Sequence, residues 1–563
     1  MTLSENCSLE ALLAYVARED IRLGASGGTL RYDAPAHRAG PLLEAALRRH
    51  KPALLARLAD APDRAGEGGD ADAVGDADAD AGADADAGAD TGAAGETVEE
   101  RAPASREQSG MVMRHEQSKE PQVWNVALRL RFEGSLDERA LRSALQELIH
   151  RHHALRSRYV WDYEAGGSGG TAGSGTVDRT AKSERELWQE VLAPRPVPLP
   201  VEDLRDLSPP EREERLDAAC DRVAQTPFDV ARGVQPRIRL LRTGDESRTL
   251  MLVLHHISCD GWSVSVLLRE LSTLYRNEAG HRPLQPLPPP TSQCTEYARR
   301  QASSSMSEAE HRRRLDFWAE RLAGCRADSG LPADHPRPTV LSGRGATAHA
   351  VVPAELFQAL QRFARETGTT PFAVMLAVLG RLLHRRSGQG DYVLSTAYAN
   401  RAHPSTDTLV TCTAGVLTLR LRMDGDEELT ELCRQVTAGL AGGIAHFLPY
   451  AQIKEGLSRQ HGIELPGSIP LGATYQNSVD LSVELPGVST VVTDQTGLTA
   501  RRDCSFSILP CPDGTAEIHT EYSTDLYRPE TVDGWLTEYV GMVDAMVPGD
   551  RTLGSSGAVP AAL

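Results

Sequence analysis

The chain has 563 residues, 40% of them hydrophobic, which exceeds one ordinary domain and suffices for sizeable cores; its formal net charge is −18. That acidic balance, without a dense Lys/Arg stripe, excludes a nucleic-acid footprint, and no uninterrupted run of about 18 apolar residues is present to span a membrane. The N-terminus MTLSENCSLE is no signal peptide, and nine cysteines scattered without a C-x-x-C pair read as reduced thiols of a cytoplasmic protein rather than a disulfide framework or zinc site.

Residues 1–60 read as a small unit of order α-β-β-α-α. Leu9, Leu12, Leu13 and Val16 make a helical stripe. Ile21-Arg22-Leu23 and Thr29-Leu30-Arg31-Tyr32 flank the Gly27-Gly28 pair, which predicts a β-hairpin. Leu42, Leu43, Ala46 and Leu47, then Leu54, Leu55 and Leu58, give two more short helices, with Pro52 near the start of the last. Residues 61–102 are Asp-Ala-Gly repeats. They hold too little apolar surface to offset chain entropy and predict a disordered, charge-extended tether. A second glycine-rich stretch, Gly166 to Gly175, predicts a surface insertion. The main body then runs from 103 to 548. A proline-rich crossing near 287–290 divides it into 103–287 and 288–548, and 549–563 is a tail.

The richest chemistry lies in His255-His256-Ile257-Ser258-Cys259-Asp260-Gly261. Thr249 to Leu254 is a short apolar run, as in a buried strand, and from Val264 the apolar residues Leu267, Leu268, Leu271 and Leu274 follow near helical spacing. The string therefore sits on a strand-to-helix turn, where side chains reach a cleft and free N–H groups face the same space. Imidazole is the side chain best suited to move a proton near neutral pH. Strand alternation sends one histidine to the cleft and packs the other behind it. Asp260 is a fixed charge that can order the loop by pairing with an arginine. Gly261 permits close backbone approach or a positive φ. Cys259 is read as a spacer.

With Trp262-Ser263 after it, this string resembles the core motif of the condensation domains of nonribosomal peptide synthetases, which share their fold with chloramphenicol acetyltransferase. Further matches follow in family order. Ser105-Arg106-Glu107-Gln108, with Met111-Val112, is similar to the family's first motif. Arg151-His152-His153-Ala154-Leu155-Arg156-Ser157-Arg158-Tyr159 is similar to its Arg-His-Glu-x-Leu-Arg-Thr-x-Phe. Pro227-Phe228-Asp229, Thr295-Glu296-Tyr297-Ala298, His446-Phe447-Leu448-Pro449-Tyr450 and Glu521-Tyr522-Ser523-Thr524-Asp525-Leu526-Tyr527 stand where the family has related segments. Residues 1–60 resemble N-terminal docking domains of the tubulysin-synthetase type. Arg22 and Arg31 are the hairpin cations available to an upstream partner's tail.

The resemblance implies an α/β (α+β) fold of two acetyltransferase-like lobes in a V-shaped pseudo-dimer, with a tunnel between them entered by carrier-bound thioesters from both ends. It implies His256 at the reaction centre, as base or positioning group, and a Gly261 N–H aimed at the developing oxyanion. Asp260 is implied to be structural and paired with Arg401 of the second lobe, and His255 structural as well. No tightly bound cofactor is implied: partner carrier proteins deliver the phosphopantetheine arm. Donor and acceptor stay open, and so do amide and ester products. A non-catalytic recruitment platform is the alternative of a different class; epimerisation, heterocyclisation and a CoA-dependent transfer fit the motifs less well. Two details stand apart. Gly415, in Thr411-Cys412-Thr413-Ala414-Gly415-Val416-Leu417-Thr418, replaces an Asn of the family pattern near the acceptor side. Tyr475-Gln476-Asn477 is placed along the second-lobe side of the tunnel. The sequence has no carrier site and no adenylation core, which implies work in trans or as a fragment of an assembly line.

Overall fold

The computed structural model describes residues 97–162 and 186–547 apart from 283, 285, 305, 327, 477–479 and 495–498, together with the backbone of 22–26 and 29–33. Contacts divide the chain at Gly92 into two units. In the first, strands β1 (Arg22–Ser26) and β2 (Thr29–Asp33) pair antiparallel with Ser26 opposite Thr29, the register of a two-residue hairpin. The helices expected on either side of that hairpin, the insertion at 166–175 and the tail at 549–563 lie outside the described residues.

The second unit contains three sheets. Its first half holds β3 (Val98–Pro103), α1 (Arg106–Gln117), β4 (Asn125–Gly134), α2 (Glu138–Arg151), β5 (Ser157–Asp162), β6 (Glu186–Leu192), β7 (Val201–Asp203), α3 (Pro209–Gln225), β8 (Arg237–Arg242), β9 (Ser247–His255) and α4 (Gly261–Glu278). Its second half holds α5 (Cys294–Ser303), α6 (Glu308–Leu322), β10 (Gly345–Val352), α7 (Ala354–Glu366), α8 (Pro371–Ser387), β11 (Asp391–Tyr398), β12 (Gly415–Arg422), α9 (Leu429–Ala445), α10 (Tyr450–His461), β13 (Leu471–Tyr475), β14 (Val488–Asp494), β15 (Cys504–Pro510), β16 (Ala516–Ser523) and α11 (Pro529–Met546). The sheet orders are β14-β4-β9-β8-β7, β10-β16-β15-β13-β11-β12 and β3-β6-β5.

Local chemistry accounts for the elements that matter to the site. β9 lies between β4 and β8, and its residues from Thr249 onward are all buried, so an unbroken apolar run suits it better than alternation. α2 starts where the Asp137 carboxylate caps the Arg139 and Ala140 N–H groups at 2.9 and 3.0 Å. Its apolar face (Leu141, Leu145, Leu148) joins Val264, Leu267, Leu268 and Leu271 of α4 in one core against the sheet. α3 covers the opposite face through Leu216, Ala219 and Cys220, packed on Met251 and Val253. The second large sheet packs the same way, with α7, α8 and α11 on one side and α6 and α10 on the other.

Two expectations need correction, and of the two uses open to Gly261 one is ruled out. Residues 98–102, expected to belong to the tether, are part of β3, paired with β6: Ala102 is fully buried there and Glu100 binds Arg299 and Thr295 of α5. The boundary at 287/288 does not separate the sheets. β14 crosses back to pair with β4 from Val488↔Gly134 to Asp494↔Leu128, and α5 packs on β3. The two halves therefore share backbone hydrogen bonds. Gly261, finally, is helical rather than a positive-φ residue, since α4 begins on it three residues earlier than the apolar spacing indicates.

Candidate active site

Residues 256–260 turn β9 into the N-terminus of α4, and the two histidines part company at that turn. His255 is fully buried. Its Nδ1 accepts the Ile257 N–H at 3.0 Å, which leaves the ring proton on Nε2, facing His115 Nδ1 of α1 at 3.1 Å. Phe228 packs edge-on against the same ring, centroid to centroid 5.7 Å. Burial, reinforced by His115 and His256, holds the His255 pKa well below the ordinary imidazole value. The residue is a neutral tie between strand and helix.

His256 sits half-buried in a different setting. Its backbone N–H donates to the Trp124 carbonyl at 2.7 Å. Its Nδ1 is buried and has no hydrogen-bond partner from another residue. Burial, then the charge of Arg501, push its pKa down to about 4. At neutral pH the ring is unprotonated, so a nitrogen lone pair is free to accept a hydrogen bond.

Asp260 is the N-cap of α4 and is saturated. Its Oδ1 accepts from the Ser263 N–H at 2.9 Å and the Ser263 hydroxyl at 2.8 Å. Its Oδ2 accepts from the Thr413 N–H and hydroxyl at 3.1 and 3.0 Å. The Arg401 guanidinium closes the site at 2.8 and 3.0 Å and also holds the Thr406, Leu409 and Thr411 carbonyls. Burial would raise the Asp260 pKa, but Arg401 and the Ser263 donors outweigh it and keep the carboxyl ionised. Asp260 and Arg401 thus link the turn to the segment 401–413, as does Trp262, whose indole N–H reaches the Asp407 carbonyl at 2.9 Å. Gly261 opens the helix, in whose first turn the N–H groups lack intrahelical acceptors.

The flanking motifs are structural supports around this turn. Ser105 caps α1, and Gln108 completes a reciprocal box: the Gln108 N–H donates to Ser105 Oγ at 3.2 Å, and the Ser105 N–H donates to Gln108 Oε1 at 2.7 Å. The fully buried Gln108 amide also reaches Tyr159, Gln189 and Thr411. Met111 and Val112 pack with Ile257 and Cys412. Arg151 and His152 grip the buried Glu270 carboxylate at 2.9 and 2.8 Å, which fastens α2 to α4. His446 ends α9 and stacks on Phe317 at 4.1 Å, away from the turn's own contacts. Asp525 accepts from the Ser342 N–H and hydroxyl. Tyr475 packs on Phe372 at 5.8 Å, and Asn477 lies outside the described residues.

Gly415 has a steric explanation. A Cβ built there would come within 2.4 Å of the Phe447 ring, so that ring occupies the space a side chain at 415 would need. Sequence reasoning named Ser263 and Thr413 only within motifs and gave them no role, and it did not find Trp124, Arg114 or Arg501. Ser263 had a signal, three residues after an aspartate N-cap. Arg114 and Arg501 had none, because they meet at the turn only through the fold.

The Condensation domain family model matches residues 98–166 and 178–549, leaving unmatched a stretch that overlaps the expected glycine-rich insertion. Chondramide synthase cmdD of Chondromyces crocatus is 31% identical over 432 residues; the match spans 76% of this chain but 10% of that synthase. The crystal structure of the SgcC5 protein from Streptomyces globisporus superposes with TM-score 0.62 at 25% identity, covering 79% of this chain and 98% of that one. The EpoB cyclization-docking bidomain from Sorangium cellulosum covers 97% of this chain and 100% of its own with TM-score 0.64; at 19% identity the likeness is one of fold.

Proposed function

This chain belongs to the condensation-domain family, and from that premise we propose that it joins a carrier-bound acyl or peptidyl thioester to an amine acceptor, forming an amide in a nonribosomal peptide or hybrid assembly line. The observation that carries this reading is the neutral His256, whose buried Nδ1 meets only its own backbone and so leaves the Nε2 lone pair free, held beside the first turn of a helix whose cap is locked by Asp260 and Arg401. The acceptor N–H donates to the imidazole, which orients the amine lone pair toward the thioester carbon. As the C–N bond forms, the Gly261 N–H stabilises charge on the carbonyl oxygen. Collapse breaks the C–S bond, and the amine proton leaves through His256 to the departing thiolate. A pKa of about 4 makes His256 a weak base, which favours positioning as its main contribution. The phosphopantetheine arm enters as part of the substrate, delivered by a carrier protein.

Residues 1–60 are proposed to dock an upstream partner through the β1–β2 hairpin, where a peptide strand can add to a free edge. The two-part architecture of the Sorangium bidomain supports this as a matter of fold. The test is a mass-spectrometric condensation assay with an acyl-loaded carrier and amine or alcohol acceptors. Amide product from wild type and none from His256→Ala supports the proposal. Ester product would redirect it to a hydroxyl acceptor. Carrier binding without any product would favour the recruitment platform.

A further inference from the structure

The charges of Arg501 and Arg114 both reach His256, and the reaction outlined above does not use them. Arg114 on α1 and Arg501, which precedes β15, both stand by Trp124, their guanidinium carbons 5.5 and 5.3 Å from the ring centroid. Trp124 is the residue whose carbonyl holds the His256 backbone. Its own indole N–H is buried without a partner. Among the described residues, no carboxylate pairs with the guanidinium of either Arg114 or Arg501. The carboxylates in the neighbourhood are engaged elsewhere: Asp260 by Arg401, Glu107 by Gln301, and Glu521 by the Arg501 backbone N–H at 2.9 Å. Arg114 and Arg501 are exposed residues; partial burial of the Arg114 guanidinium, with Arg501 adding to it, lowers its pKa, and burial and Arg501 lower that of the half-buried Arg502 to about 10. Positive charge is gathered beside the reaction centre and is offset only in part, since Glu521 raises the Arg502 pKa but, among the described residues, no carboxylate is bonded to the Arg114 or Arg501 guanidinium; that balance favours an anionic ligand.

Resting on the condensation reading, we propose that Arg114 and Arg501 form a carboxylate cradle beside His256, so that this site takes a small untethered acceptor whose free carboxylate adjoins its nucleophile. A carrier-bound acceptor has its carboxyl locked in a neutral thioester and gives these cations nothing to bind. The phosphate of a pantetheine arm is separated from the thioester by the whole arm, so it does not reach a cradle next to the reacting atoms. In an α-amino acid, by contrast, amine and carboxylate are joined through one carbon. A guanidinium that holds the carboxylate then delivers the amine to His256.

Two readouts test the cradle. In the condensation assay, each α-amino acid acceptor is paired with its carboxamide; wild type should prefer the carboxylate by roughly tenfold or more in kcat/KM, the scale of one charge-assisted hydrogen bond. That preference should collapse toward unity in Arg114→Gln/Arg501→Gln and persist in Arg313→Gln, a surface control. Independently of turnover, the protein can be labelled with 5-fluorotryptophan and the Trp124 resonance assigned by Trp124→Phe among the six tryptophans. Acetate and the amino acids should move that resonance in wild type and in His256→Ala, acetamide and the carboxamides should not, and the double variant should not respond. A Trp124 signal deaf to every carboxylate, or equally responsive to amides or in the double variant, overturns the proposal. If Trp124 responds as expected but wild type makes no product, the cradle stands and the condensation reading falls.

Discussion

One seven-residue string contains two kinds of site. At Asp260 every oxygen is matched by donors from Ser263, Thr413 and Arg401, and at His255 both ring nitrogens face partners. At His256 the ring has no partner from another residue at Nδ1, the neighbouring Trp124 indole is unmatched, and among the described residues no carboxylate pairs with the two guanidiniums. Full satisfaction marks residues that build the turn; the leftover capacity next to it is where the proposed reaction would have a substrate supply the missing partners. The adjacent histidines His255 and His256 are told apart by their partners rather than by their chemistry.

The largest effect should come from breaking the saturated side. Arg401→Ala strands a buried carboxylate and should cost about 3–5 kcal/mol of stability by denaturant unfolding. An unchanged midpoint would mean that the Ser263 and Thr413 donors suffice alone. Gly415→Asn should cost about 1–3 kcal/mol because its Cβ meets Phe447, and Phe447→Ala should recover most of the loss in the double variant. Failure of that rescue would place the strain elsewhere.

Acid should sharpen the contrast further. His255 and His256 are neutral in the fold, with pKa values well below normal and about 4, whereas in the unfolded chain they protonate near the ordinary value of about 6.5. The unfolded state therefore binds more protons below that value, so stability should fall as pH drops from about 6.5 toward 4. Thermal melts across that window should show a shallower fall in His255→Gln. Smallest is the cap of α1: Ser105→Ala should lose about 1 kcal/mol.

Much of this was legible in the sequence, for physical reasons. The apolar run ending in two histidines announced β9, and the helical spacing from Val264 announced α4, though not the cap at Asp260. The Gly27-Gly28 pair between short β-prone segments announced the hairpin. What escaped was long-range. That β14 returns to β4 follows from the packing of the whole body and has no local signature. Val98 to Pro103, beside a low-complexity segment, carries four polar or proline positions out of its six and is held as a strand by long-range contacts with β6 and α5. Arg114 and Arg501 are ordinary surface arginines until the fold sets both against Trp124. The start of α4 was displaced because a glycine at the first helical position carries no helical signal of its own.

The most direct test measures stability and turnover together in His256→Ala. If the open side of the turn does the chemistry, turnover with an acyl-carrier donor falls by about 10²–10⁴-fold while the unfolding midpoint stays close to wild type. A variant that keeps wild-type turnover, or one that loses activity only in step with its stability, would contradict that division of roles.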